Sequence, residues 1–438
     1  MPNLRTKNVI KYVTPTILSG VCFFMFTVVD AIFVGRGIGT NALGAINLIG
    51  PFIMIAGALN MLISIGGVAI FAVRIGRDDI DGANRVFRHG MILTLCIAAF
   101  LSFIGTFFAD NICKILGANE TFHHLAVEYL FWYSIFIVPS ALSTGLQNYC
   151  RNDNSPGLVS LVVIVTTVCN IFGDWLLIYP IAWGTKGAAI ATGISQTLGL
   201  FVVLPHFLHK RGNLRFGKIE FEKNLLKEIM IHGMPEGISQ LATPVMTLCM
   251  NMVLINRIGD IGVTAFSVII YIASFSMAIF FGASEGLQPL FGQSYGAKNK
   301  DDLRYYFKTG LKISFFGSSI VTILSILLSK NICILFGTDP VTQSYVLKVL
   351  PQFTIGFIAM AINVMISSYL YSTERSSLAS TISVLRSVVV NAAVILILPY
   401  IFGESIIWFS LLIYEAIVLI IAVALLKHSE RNGICFKE

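Results

Sequence analysis

The chain has 438 residues, of which 56% are hydrophobic and only 12% charged, with a mean hydropathy of +0.81. Soluble domains carry about 25% charged residues, so this composition excludes a soluble enzyme and points to an all-α polytopic membrane protein. The net charge of +7 is therefore informative through its placement along loops, and no nucleic-acid partner is expected.

Apolar runs of about twenty residues, unalternated, exclude an outer-membrane barrel. They fall at roughly 12–35, 45–73, 89–110, 125–148, 157–179 and 187–208. After a basic connector they resume at roughly 233–256, 263–293, 309–330, 346–370, 377–400 and 404–426, which predicts twelve transmembrane helices. The first run is too long for a signal h-region and has no small-residue cleavage site behind it, so it reads as a retained span. It holds Pro15 near its basic flank and Asp30 within its apolar stretch. A carboxylate inside a span costs roughly 2.5–3.5 kcal/mol on insertion scales, which makes Asp30 a functional candidate. Cys22, Cys96, Cys113, Cys150, Cys169, Cys249, Cys333 and Cys435 show no CxxC spacing and read as small buried hydrophobes.

Arg36, Lys114, Lys186, Arg257, Lys330 and Lys348 fall on one side of this arrangement and Arg386 lies inside a span. All the remaining Lys and Arg fall on the side of the two termini, which predicts both termini in the cytoplasm of a cell-membrane protein.

Shifting the chain by 220 residues aligns Pro15 with Pro235, Gly39 with Gly259, Ala45 with Ala265 and Gly76 with Gly296. It also aligns Phe87 with Phe307, Gly90 with Gly310, Asn111-Ile112-Cys113 with Asn331-Ile332-Cys333, and Gly117 with Gly337. Each repeat holds six spans, an even number, so the two lobes share one orientation and a pseudo-two-fold along the membrane normal. The expected division is an N-lobe at 1–208, a cytoplasmic linker at 209–232 and a C-lobe at 233–438. Such a two-lobed repeat is the plan of alternating-access transporters.

The repeat is broken at polar residues. Under the same shift Asp30 meets Met250, Asn170 meets Val390, Asp174 meets Val394 and Thr192 meets Leu412. Asn170 and Asp174 share a helix face, and Asp30 and Asp174 lie about 27 and 26 Å along their helices from the same side. Thr192 stands about one turn into the sixth span. Oxygen ligands of this kind bind a hard cation, and two close carboxylates equally hold a proton. Asp30 as a helix cap or as a partner of Arg36 is the bland alternative.

At these residues the chain resembles the multidrug and toxic compound extrusion (MATE) family, and its MepA-like branch. The resemblance rests on VDAIFVGRGIGTNALGA in the first span and loop, NIFGDWLLI in the fifth span and GASEGLQPLFGQSYGAKN in the eighth. It implies that Pro15 is the hinge proline of the first helix. It implies equally that Asp30, Asn170, Asp174 and Thr192 form an N-lobe site for a coupling Na⁺ or H⁺. Gln147 and Asn148 fall where the family often has further site polars. Some branches place acids midway along the seventh and in the tenth span; here those stretches read LATPVMTLCM and GFIAMAINVMISSYL, so no C-lobe cation site of that type is expected.

Arg386 and Glu415, each about ten residues into neighbouring spans, read as a buried structural pair. Glu285 precedes Gly286 and Pro289 and is either a further polar site facing cationic substrates or a partner for Arg386. Glu236, after Pro235, reads as interfacial. Met25, Met54, Met61, Met246, Met250, Met252, Met360 and Met365 suit an adaptable apolar cavity, though each alone reads as core or lipid-facing. No GxxxxGK[ST] loop is present, which argues against direct ATP energisation. The expectation is a monomeric, non-enzymatic antiporter without a resident cofactor, driven by Na⁺ or H⁺. It would export amphiphilic cationic drug-like compounds through the lipid bilayer. A flippase for lipid-linked precursors of the same superfamily is the alternative.

Overall fold

The computed structural model describes residues 4–118, 120–209, 211–218, 221–336 and 338–431; Lys210, Gly337, Cys435 and Lys437, invoked above, lie outside them. The first repeat consists of α1 (Leu4–Gly37), α2 (Thr40–Leu48), α3 (Gly50–Gly76), α4 (Ile80–Phe107), α5 (Ala109–Ile115), α6 (Glu120–Ile135), α7 (Ile137–Asn152), α8 (Pro156–Ile178) and α9 (Gly184–Leu208). The second consists of α10 (Lys223–Ser239), α11 (Ala242–Arg257), α12 (Asp260–Gly296), α13 (Lys300–Leu327), α14 (Ser329–Leu335), α15 (Pro340–Thr354) and α16 (Gly356–Ser372). It continues through α17 (Ser376–Val384), a π-helical turn (Leu385–Val389), α18 (Val390–Phe402), a 3₁₀ turn (Glu404–Phe409) and α19 (Ser410–Arg431).

Among the described residues eleven helical segments are long and apolar enough to cross a membrane. Counted as one span, α6 and α7, bent by 52° at Phe136, bring the number to twelve. Pro139, in the first turn of α7, has no N–H for the carbonyl of Ile135, so the helix cannot run straight through. Pro51 has the same effect at the α2–α3 break, which interrupts the run expected at 45–73. Large apolar side chains such as Phe23, Phe100, Phe201, Phe316 and Ile420 stand exposed along these helices, as lipid-facing residues do.

The 220-residue repeat survives down to single bonds. Helices α4 and α13, and α5 and α14, have boundaries that match at that offset. Asp79 caps α4 by accepting from the Gly82 N–H, and Asn299 caps α13 by accepting from the Asp302 N–H. Ser102 Oγ donates to the Ser134 carbonyl at 2.7 Å, and Thr322 Oγ1 donates to the Thr354 carbonyl at 3.0 Å. Gly39 and Gly259 both take positive φ, 120° and 84°, ahead of α2 and α12.

The chain forms two compact units, Leu18–Gly233 and Met1–Ile17 with Met234–Glu438. Their boundaries differ from the lobes read off the repeat. The first turns of α1 group with the second repeat because Gly282 and Gly286 of α12 leave room for the backbone at Tyr12–Val13 and Thr16–Ile17. The start of α10 groups with the first repeat, because Gly66 and Gly233 let α3 and α10 meet backbone to backbone.

Four of the seven described cysteines are buried, as expected, but Cys96 is exposed. Met246, Met250, Met360 and Met365 are core residues, while Met25, Met54 and Met252 stand on the surface.

Candidate functional site

Within the Leu18–Gly233 unit, α8 and α9 pack through small residues, with Gly173 against Ala191 and Gly187 against Leu177. This close approach lets the Asn170 Nδ2–H of α8 donate to Thr192 Oγ1 of α9 at 3.3 Å. Asp174 lies one turn further along α8 and is fully buried. At its far end α1 is seated on the end of α8, with Phe33 edge-on to Tyr179 at 5.9 Å and Gly37 against Ile178. Asp30, three residues before Phe33, is thereby brought to Asp174, and the two carboxyl groups are immediate neighbours. Asn170 also lies against the Asp174 carboxyl.

The four residues singled out in the sequence thus come together. Their oxygens are poorly served. Asp30 Oδ1, both Asp174 oxygens and Asn170 Oδ1 are buried and receive no hydrogen bond from any described residue. Buried polar atoms are normally satisfied, so a group of orphaned acceptors signals a missing positive partner. Two adjacent carboxyls also resist double ionisation. The arrangement can hold a proton on either aspartate or a small cation among the oxygens.

Tyr129 of α6 is a further member that sequence reasoning missed. It is buried within electrostatic reach of both aspartates. The repeat carried the signal, since the 220-residue shift sets Tyr129 opposite Val349.

Other expected residues fall elsewhere. Gln147 donates to Ser143 Oγ at 3.1 Å and Asn148 contacts Met61 Sδ at 4.0 Å. Both sit near the end of α7 that leads into α8, whereas Asp174 is 18 residues, roughly 27 Å, up α8 from that turn. They are not part of the Asp30 cluster. Glu285 belongs to the other compact unit and neighbours Glu236 there. Pro15 lies inside the continuous helix α1, two residues before the boundary between the units. Arg386 and Glu415 form the expected buried pair, with Nε donating to Oε1 at 2.9 Å and to Oε2 at 3.1 Å. Glu236 corrects the interfacial reading. It is 6% exposed, because its helix begins at Lys223, so the residue lies about 20 Å along it.

An all-helical membrane fold of two six-span repeats, with unsatisfied acidic groups inside one unit, defines a polytopic transporter rather than an enzyme. The MatE family model matches residues 15–176 and again 235–397, and the chain belongs to that family of membrane transporters. The second match begins 220 residues after the first. Multidrug export protein MepA of Staphylococcus haemolyticus is 24% identical over 97% of this chain and 94% of its own length. Probable multidrug resistance protein YoeA of Bacillus subtilis is 24% identical over 76% of this chain and 73% of its own. A solved MOP superfamily transporter from Pyrococcus furiosus superposes with a TM-score of 0.91 at 21% identity, covering 99% of this chain and 97% of that one, which shows a shared fold.

Proposed function

We propose that this chain is a secondary multidrug exporter that exchanges Na⁺ or H⁺ for amphiphilic cationic organic compounds by alternating access. The observation that carries the reading is the group of buried, unpartnered oxygens on Asp30, Asp174 and Asn170, with Thr192 beside them. The drug-export names of the MepA and YoeA relatives support the substrate class. The distribution of Lys and Arg supports cytoplasmic termini, and export then runs outward. The cation enters as cargo and is bound by Asp30 and Asp174. It biases the cycle only through unequal affinity for the two access states. Pro15 removes one hydrogen bond from α1 and supplies the point where the helix bends as the site fills. A flippase is not favoured: the intramembrane cation Arg386 is engaged by Glu415 and not set out for a pyrophosphate.

The test is export in proteoliposomes under a Na⁺ gradient at fixed pH, and separately under a pH gradient at fixed Na⁺. One gradient drives export in the wild type, and Asp30→Asn and Asp174→Asn each lose at least tenfold of the driven rate. Full gradient-driven export by both variants overturns the site. Export indifferent to both gradients overturns coupling altogether.

A further inference from the structure

The second compact unit has charges of its own, at positions unrelated by the repeat. Glu236 of α10, Glu285 of α12, Arg386 of the π turn and Glu415 of α19 stand opposite Thr16, Ile65, Thr166 and Ser195 under the 220-residue shift. Whatever they do is particular to this half.

Glu415 is fully provided for. It accepts from Arg386 Nε through both oxygens and from Asn363 Nδ2 at 2.7 Å. Glu236 is not. Its one hydrogen bond among the described residues comes from the neutral Gln240 amide, 2.9 Å to Oε1. Arg386, whose terminal nitrogens make no hydrogen bond to a described residue, borders the same small cavity as Glu236, along with Ser239, Ser284, Ser367 and Ser383. The cavity has room for about one water molecule. It is too small for a drug-like substrate.

The charged and titratable groups around Glu236 come from each packed element. They are Glu285 from α12, Arg386 from the π turn and Tyr371 from α16, with Glu415 and Tyr414 of α19 standing beyond Arg386. Lys11 of α1 stands one residue before Tyr12, whose backbone packs on Gly286. Two carboxyls, Glu236 and Glu285, adjoin one guanidinium, that of Arg386, which is already held by Glu415. A surplus carboxylate in an apolar interior calls for a positive partner, and beside a guanidinium a proton on the carboxyl itself meets that need without a second cation. The backbone around the cavity is irregular on two sides. Pro235 lies inside α10, which breaks at Gln240–Leu241, and Arg386 occupies a π turn, a form that recurs at functional sites.

We propose that Glu236 is a proton-binding site separate from Asp30 and Asp174, and that the terminal nitrogens of Arg386 turn to Glu236 as that proton leaves and withdraw as it returns, while Nε stays on Glu415. The proton reaches the free oxygen of Glu236 through a water that the cavity has room for, and that water takes a proton from bulk in turn. Arg386 Nε keeps its bonds to Glu415 throughout. The consequence for transport, one proton exchanged beyond those at the aspartate pair, rests on the cation-coupled reading above; the titration of Glu236 does not.

The experiment is infrared pH-difference spectroscopy on the full chain in lipid, following the carbonyl band of protonated carboxyls. Wild type and the Asp30→Asn/Asp174→Asn double variant are expected to share a titrating band that Glu236→Gln lacks and Glu236→Asp restores at shifted frequency. Arg386→Lys, which keeps the charge but loses the fork, is expected to move the titration of that band. Proton counting per substrate exported is expected to fall by one in Glu236→Gln. A titrating band that survives Glu236→Gln unchanged overturns the proposal, and so does a Glu236→Asp protein that folds but shows no band. If the wild type ignores every gradient while the Glu236 band is present, the coupling reading fails and this site stands.

Discussion

Arg386 is the residue at which the interior of the second unit is most exposed to a single substitution. Arg386→Met leaves Glu415 buried with only Asn363 as a donor, and Glu236 without its nearest cation. Removing one partner of a buried pair costs about 3–5 kcal/mol. Arg386→Met/Glu415→Leu removes both charges and is expected to recover most of that loss, as thermal unfolding in detergent will show. At the aspartate cluster, Thr192→Val takes away the acceptor of Asn170 Nδ2 and is expected to cost about 1–3 kcal/mol, read as weaker cation binding. Residues of this kind differ in how well the sequence displays them. Asp30, Asp174, Arg386 and Glu415 were legible because a charge inside an apolar run has few structural uses. Tyr129 was not, since a tyrosine in a span reads as core or interface. Glu236 was misplaced because Lys223 and Lys227 disguise the first turns of its helix as linker.

The elements show where composition misleads. Residues 209–232 are rich in Lys, Arg and Glu and read as a solvated connector, yet part of this stretch is bound closely to its own unit. Asp153 accepts from the backbone N–H of Asn213 at 2.8 Å and of Leu214 at 3.3 Å, and from His206 Nε2 at 3.2 Å. The Glu222 N–H donates to His89 Nε2 at 2.9 Å, which leaves Nδ1–H to donate to the Arg85 carbonyl. Backbone groups make these bonds, so side-chain identity in the linker carries no trace of them. Asp153→Ala strands three donors and is expected to cost about 3–5 kcal/mol, with faster proteolysis between 211 and 218 as the local readout. A second element responds to pH. Hydrogen bonds from Thr342, and from the Val341 N–H, hold the Asp339 carboxyl below its usual range at the start of α15. A lowered native pKa contributes stability above the ordinary aspartate value, about 3.9, and that contribution vanishes as pH falls through the native value. Protection of the Val341 and Thr342 amides, taken against their intrinsic exchange rates, should therefore fall below about pH 4 in the wild type. In Asp339→Asn, whose cap does not titrate, that protection should stay level across the same range.

At the scale of the molecule, the repeat legible as a 220-residue shift is also a rule of assembly. The compact units were not legible from it, because hydropathy marks where a helix crosses but not which neighbours its first turns choose. Each repeat opens with a helix whose first turns belong to the unit built mainly from the other repeat. A chain cut in the linker therefore yields a second half that lacks Met1–Ile17, and with it the backbone that fills the space left by Gly282 and Gly286. Residues 221–438 expressed alone should aggregate or be degraded, while co-expression with residues 1–220 should restore a folded, detergent-extractable complex. The glycines provide the control. In the full chain Gly286→Leu places a side chain on the Tyr12–Val13 backbone, where small residues set helix approach in membranes. It should lower the unfolding temperature and abolish rescue in the two-fragment experiment, whereas Gly317→Leu, which meets open space, should leave both unchanged. Recovery of a stable 221–438 fragment by itself would show that the first turns of α1 are dispensable to the second unit.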